Sequence, residues 1–193
     1  MSDPIFITTQ KGSRIRVLTP QEYDALAAAI SKDYLHTLFN VCFFTGMRYI
    51  EVQRLHANPS YWLRSRNVIF LDRDAQKKVK RTTPERWIPV PPQLQGELPY
   101  FFKNRAPPTI QVWGRNLQRW AAAAGIGDPG IVSKMTRATI ETWMYTAGVP
   151  MNEICLRQGH DKLTSLNHYQ AISQAFTAQE IDEIRRRLAG WIA

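Results

Sequence analysis

Residues 45–55 read TGMRYIEVQRL, and the breaks within this stretch set the reading of what lies on either side. Gly46 ends one helix. Arg48 opens the next, which carries Ile50, Val52 and Leu55 at helical spacing, with Glu51 three residues beyond the arginine. Upstream, Leu35, Leu38, Phe39, Cys42 and Phe43 line one broad side of a helix predicted over 33–44. Before that, Thr19 as N-cap, Pro20 at the first helical position and Glu22 at the third form a capping box, and Leu26, Ala29 and Ile30 supply the buried face. Residues 1–17 read as a tail or a short strand pair around Lys11 and Gly12.

Downstream the pattern changes. NVIFL at 67–71 and RWIPV at 86–90 are short β-branched and aromatic runs, which predicts a hairpin or a three-stranded sheet. From Arg64 to Arg86 there are eight Lys and Arg against three Asp and Glu, a local charge of +5. Helical periodicity then returns over 94–102. It continues after Thr109 with Val112, Trp113, Leu117 and Trp120, stopping at Gly125. Further helices are predicted over 133–147, from Pro150 to Gly159, over 164–172, and over 178–189 with Ile181, Ile184 and Leu188 aligned. The fold class is mainly α with a small antiparallel β-sheet or hairpin insert. There is no internal repeat and no domain-sized linker.

The chain has 193 residues, 25 Lys and Arg against 16 Asp and Glu, a net charge of +9 and a sequence pI near 9.8. With 44% hydrophobic and 21% charged residues it is long enough, and apolar enough, to bury one domain's core. The charge points to a polyanionic partner, nucleic acid first. Cys42 and Cys155 sit in apolar surroundings and suit a reducing cytosolic compartment. MSDPIFITTQKGSRIRV has no basic region followed by an apolar stretch, and VCFF at 41–44 is far too short to cross a bilayer, so neither secretion nor membrane spanning is expected.

Several chemistries are excluded by their missing motifs. There is no Walker A sequence, no Gly-rich dinucleotide loop after a strand and no G-x-S-x-G elbow. His36, His56, His160 and His168 lack metalloprotease spacing, and the acidic residues do not cluster as a two-metal site requires. No metal and no other cofactor is therefore expected, and phosphate chemistry would fall to cationic side chains. Those occur in order: Arg48; Arg137 at a helix start, with Lys134 one turn before it; His160 after Gly159; and Tyr169 nine residues further on.

TGMRYIEVQRL at 45–55 resembles the first arginine box of the tyrosine recombinases, the phage-integrase family. KMTR at 134–137 is similar to their second box, which usually reads His-x-x-Arg. QGH at 158–160 followed by Tyr169 resembles the L-G-H box and its nucleophilic tyrosine. RVLTPQEYDALAAAI at 16–30 looks like the usual first helix of the catalytic domain, and RWIPVP at 86–91 like the strand after the catalytic lysine. The resemblance spans about residues 16–172 and implies the tyrosine recombinase catalytic-domain fold. Its domain plan is an N-terminal tail or strands over 1–17 and a catalytic domain over 18–175. A C-terminal amphipathic helix over 176–193 completes it and could dock on a neighbouring protomer.

What the resemblance implies is site-specific cutting and rejoining of double-stranded DNA without ATP. Arg48 and Arg137 would clamp the non-bridging oxygens of the scissile phosphate, work that suits guanidiniums better than ammonium groups. His160 would donate a third hydrogen bond, and Tyr169 would attack phosphorus to give a 3′-phosphotyrosyl link. A hairpin lysine would protonate the leaving 5′-oxygen. Lys80 has the best spacing to the strand and Lys78 faces the same side of an extended segment, so both stay open. Lys77, Lys78, Arg81, Arg115 and Arg119 are expected on DNA, and Glu51 as a buttress for Arg48. Two residues depart from the pattern: Lys134 stands where histidine is usual, and Gln158 where leucine is.

Also implied are self-association on DNA, as a tetramer in the synaptic complex, accessory DNA-bending proteins, and a place beside the nucleoid in a prokaryotic host or its virus or plasmid. The family's usual N-terminal clamp domain has no counterpart in the sequence, which fits either a single-domain recombinase or a catalytic fragment. The alternatives are a DNA-binding regulator that keeps the fold but has lost catalysis, and type IB topoisomerase-like relaxation.

Overall fold

Helix α2 (Asp33–Thr45) is the centre of the structure, and nearly its whole length is buried, from Leu35 to Thr45. The computed structural model describes residues 3–8, 12–76, 85–127, 129–159 and 175–191. A helix apolar on all sides needs neighbours on all sides. Here they are α3 (Tyr49–Ala57), α5 (Glu97–Lys103) and α7 (Met135–Ala147), with the one-turn α4 (Pro92–Gln95) beside them. Tyr23, Phe39, Phe43, Phe44 and Trp143 form one aromatic cluster with ring centroids 4.4–6.3 Å apart. Tyr23 comes from α1 (Pro20–Ala28), which starts with the predicted capping box: Thr19 Oγ1 accepts from Glu22 N, and Glu22 accepts from Thr19 N.

Two small antiparallel sheets flank the helices. Strands β1 (Ile5–Thr8) and β2 (Arg14–Val17) form a hairpin whose Ile5, Ile7, Ile15 and Val17 are buried. Its exit is pinned to α7: Leu18 N donates to Thr139 Oγ1 at 3.0 Å, and Trp143 Nε1 to Leu18 O at 2.9 Å. The second sheet, in the order β3 (Trp62–Leu63), β4 (Val68–Leu71), β5 (Arg86–Pro89), is the predicted insert after the third helix. Ile69, Leu71, Arg86 and Ile88 point inward, while Trp87 and Pro89 point out, in the period-two alternation of a half-buried sheet.

The reading of 94–102 as one helix needs correction. Two helices meet at Gly96, and the break puts Pro99 in the first turn of α5, where its missing N–H has no helical partner to lose. Helix α6 (Ile110–Ala123) starts at Thr109, whose Oγ1 accepts from Val112 N. Helix α8 (Met151–Gln158) ends in left-handed Gly159, and α9 (Ala178–Arg187) has its own capping box from Thr177 and Glu180. The apolar stripe of α9 lies against its own chain: Ile184 and Leu188 are fully buried, and Arg187 makes a two-bond pair with Asp24 at 2.7 and 2.9 Å. The helix predicted over 164–172 lies outside the described residues. Among the described residues, no helix is long and apolar enough to cross a membrane.

Candidate active site

The junction of α2 and α3 meets the start of α7 and the end of α8, and the site forms where they meet. Helix α2 stops at Gly46, with φ +61°; Met47 is buried, and Arg48 caps α3 in extended conformation. Arg137 lies one turn into α7, and α8 stops at Gly159, with φ +63°. The last carbonyls of a helix lack intrahelical donors and carry the negative end of its dipole. Both arginines use these groups. Arg137 Nη1 donates to Gly46 O at 2.9 Å and its Nη2 to Gln158 O at 2.6 Å, while Arg48 Nη2 donates to Gly159 O at 3.3 Å.

Carboxylates hold the other edge of each guanidinium. Arg137 Nε pairs with Glu141 at 2.9 Å, one turn on along α7. Glu51, fully buried, accepts from Arg48 Nη1 at 3.0 Å through Oε1 and from Arg48 N at 2.9 Å through Oε2. It is met from the far side by Arg86 of β5, itself only 1% exposed, through two bonds of 3.1 Å. Burial alone would raise the Glu51 carboxyl, but Arg86 and then Arg48 outweigh it and hold the group below the usual carboxylate range. Burial lowers the Arg86 guanidinium to about 10 although Glu51 opposes the shift, so Arg86 stays charged at neutral pH. In the sequence Arg86 falls among the basic charges of 64–86 and opens the RWIPV strand, neither of which marks it as part of the site. The signal that marks it is its parity with buried Ile88 and Val90 in RWIPV.

Arg48, Lys134 and Arg137 line one cleft of about 550 Å³. Arg48 keeps a side-chain exposure of 30%, Arg137 one of 12%, and Lys134 is exposed at the start of α7. Apolar Ile7 and Ile15 of the hairpin, Ile50 of α3 and Ile110 of α6 line the same cleft. Arg54 also lines the cleft, and its Nη1 donates to Asp74 O at 2.9 Å and to Gln76 O. Gln76 and Arg86, which both contact α3, flank residues 77–84 in sequence.

Lys77, Lys78, Lys80, Arg81, His160 and Tyr169 lie outside the described residues. Arg115 and Arg119 are exposed on α6 and do not line the cleft; Arg119 Nη2 donates to Asn116 Oδ1 at 3.3 Å. Gln158, the second departure from the family pattern, is buried against the Gly46 turn, where a Cβ on residue 46 would collide with its amide. Among the described residues, no three His, Cys, Asp or Glu side chains are grouped as metal ligands would be.

No protein-family model matches the chain, and no curated protein sequence matches it. Solved structures do. The Tn1549 transposon integrase in complex with circular intermediate DNA superposes with a TM-score of 0.69 at 17% identity, over 89% of this chain and 66% of that one. The same integrase in complex with transposon right end DNA gives 0.64 at 18% identity, over 90% and 66%. The crystal structure of XerA recombinase gives 0.65 at 17%, over 89% and 64%. The chain thus spans just under two thirds of the length of the structures it matches. These likenesses establish the fold: mainly helical with small antiparallel sheets, of the tyrosine-recombinase type.

Proposed function

We propose that the chain is a DNA strand transferase that cuts and rejoins duplex DNA through a phosphotyrosyl intermediate. One observation carries the reading: Arg48 and Arg137, 89 positions apart in sequence, line one cleft with both guanidiniums already fixed on helix-end carbonyls. Attack on a phosphodiester concentrates negative charge on its two non-bridging oxygens. Donors held in place before the reaction stabilise that charge with no reorganisation during it. Support comes also from the fold, and from neighbours of that fold whose structures hold DNA.

In this mechanism the Tyr169 oxygen attacks phosphorus, the bond from phosphorus to the 5′-oxygen breaks, and the 3′-phosphate stays on the tyrosine. His160 follows Gly159 directly in sequence and would donate to the same oxygens while helping to take the phenolic proton. A lysine of 77–84, Lys80 or Lys78, gives the leaving 5′-oxygen its proton. Lys134 adds a cation at the rim, where it can donate to phosphate but not act as a neutral acceptor. The ester energy stays in the intermediate, so rejoining needs neither ATP nor metal. Synapsis of two duplexes would require further protomers, in a tetramer on DNA, with DNA-bending proteins assisting.

A nicked suicide duplex carrying the cognate site tests this reading. Wild type should give a protein–DNA adduct that survives denaturation and is insensitive to chelators, while Tyr169→Phe should give none. Arg137→Ala should lower the adduct rate by at least a hundredfold, the usual loss on removing an oxyanion donor. Adduct that needs a divalent ion, or that persists in Tyr169→Phe, would refute the assignment. A second reading, a DNA-binding regulator without the chemistry, rests on Lys134 in place of histidine; site-specific retention of DNA by a wild type that forms no adduct would favour it.

A further inference from the structure

Arg86 does not itself line the cleft, yet it bonds Glu51, which supports Arg48, and the last turn of α8, whose end carbonyls both cleft arginines use. Its two bonds to Glu51 engage both carboxylate oxygens, each of which also accepts from Arg48. A carboxylate gripped by a two-pronged guanidinium has a fixed plane, and a fixed plane dictates where Arg48 Nη1 can sit. The third arm of Arg86 reaches α8: its Nε donates to Arg157 O at 3.2 Å. Gly159 makes room for it, since a Cβ there would strike the Arg86 side chain. The two residues so positioned at the end of α8, Gln158 and Gly159, present the carbonyls on which Arg137 and Arg48 rest.

Charge leads to the same residue. Glu51 and Glu141 would by themselves neutralise Arg48 and Arg137, leaving a clamp with no net charge for an anion. Arg86, sharing Glu51 with Arg48, restores one positive charge to the group while remaining out of contact with solvent.

We infer that Arg86 is a positioning residue. Through Glu51 and the last turn of α8, it holds Arg48 and Arg137 at the separation that the two non-bridging oxygens of a phosphodiester require. This rests on the reading of the cleft as a phosphodiester site. It makes β5, which follows the basic segment 77–84 in sequence, a mechanical part of the clamp.

Arg86→Met removes the fork and the charge; Arg86→Lys keeps the charge without the fork. Three readouts separate positioning from bulk stability. The Nε–H resonances of Arg48 and Arg137 in the folded variant report their geometry directly. On the suicide duplex, Arg86→Met should slow adduct formation at least tenfold while duplex affinity changes less than threefold, and Arg86→Lys should recover part of that loss. Among the described residues, the groups facing Glu51 are Arg48 on its own helix and Arg86 on β5, with Arg137 acting on Arg86 from α7. Without Arg86 the Glu51 carboxyl titrates higher, so the ratio of wild-type to variant rate should widen as pH falls from 7 to 5.

If Arg86→Met does not fold, the same measurements on Arg86→Lys decide. Folded variant with wild-type arginine resonances and a constant rate ratio across that pH range would overturn the inference. A wild type that makes no adduct would count against the strand-transferase reading alone, because the resonance shifts still test the positioning role.

Discussion

Glu51 has no exposed surface and two cations on its carboxylate, so removing its charge leaves a buried guanidinium short of a partner. Breaking one side of such a pair costs about 3–5 kcal/mol. Glu51→Gln should lose that much in urea denaturation near neutral pH; a loss under about 1 kcal/mol would mean that Arg86 finds another acceptor. The pH dependence has a definite sign. A carboxyl held below its ordinary 4.5 contributes stability above that value and loses it as pH falls through the lower, folded-state value. Wild type should therefore lose this contribution below about pH 4.5, and Glu51→Gln, having none to lose, should show a flatter acid limb. Arg48 and Arg137 were legible in sequence because each stands at a helix start just after a break, beside Gly46 and after the 125–130 loop. Arg86 was not, because a basic stretch invites reading as solvated charge. Only its alternation with Trp87 shows that its side chain goes inward.

Among the elements, α9 shows most clearly how packing completes what local signals begin. Its capping box and its Ile181, Ile184 and Leu188 stripe predict an amphipathic helix but not the surface that covers the stripe. The structure buries it on α7 and α1 of the same chain, with Arg187 over the Tyr23 and Trp143 rings at 5.7 and 5.9 Å. Trp191, just beyond, stacks over buried Arg157 at 4.9 Å and so weights the last turn of α8, where the clamp carbonyls lie. Ile184→Ala, at a fully buried position, should cost about 2–5 kcal/mol in denaturant unfolding. A cost under about 1 kcal/mol would show that the helix contributes little to the monomer's stability. The pair α4 and α5 illustrates the opposite case. Apolar spacing runs through the Gly96 break without interruption, and only the demand of Pro99 for a first-turn position divides it.

For the molecule as a whole, the buried charges cancel among the described residues, Arg16, Arg86 and Arg157 against Glu51, Glu141 and Glu180. The exterior field is carried instead by exposed cations such as Arg115 and Arg119 on α6, which we propose as DNA contacts. Each neutralised phosphate adds roughly −0.9 to the slope of log affinity against log salt. Arg115→Ala with Arg119→Ala should therefore flatten that slope by roughly 2 in a fluorescence-anisotropy titration with duplex DNA; an unchanged slope would place α6 away from the nucleic acid. Composition pointed to a polyanionic partner, and helix punctuation made the mainly helical fold legible. Neither reveals that the arginine network draws on residues from 46 to 159, which meet only when α2, α3, β5, α7 and α8 have all docked. This separation has a consequence during synthesis. A chain still emerging from the ribosome, surrounded by RNA phosphates, carries its arginines without the carbonyls and carboxylates that aim them. The grip on a phosphodiester proposed for it would be gained last, after the C-terminal half has been made and packed.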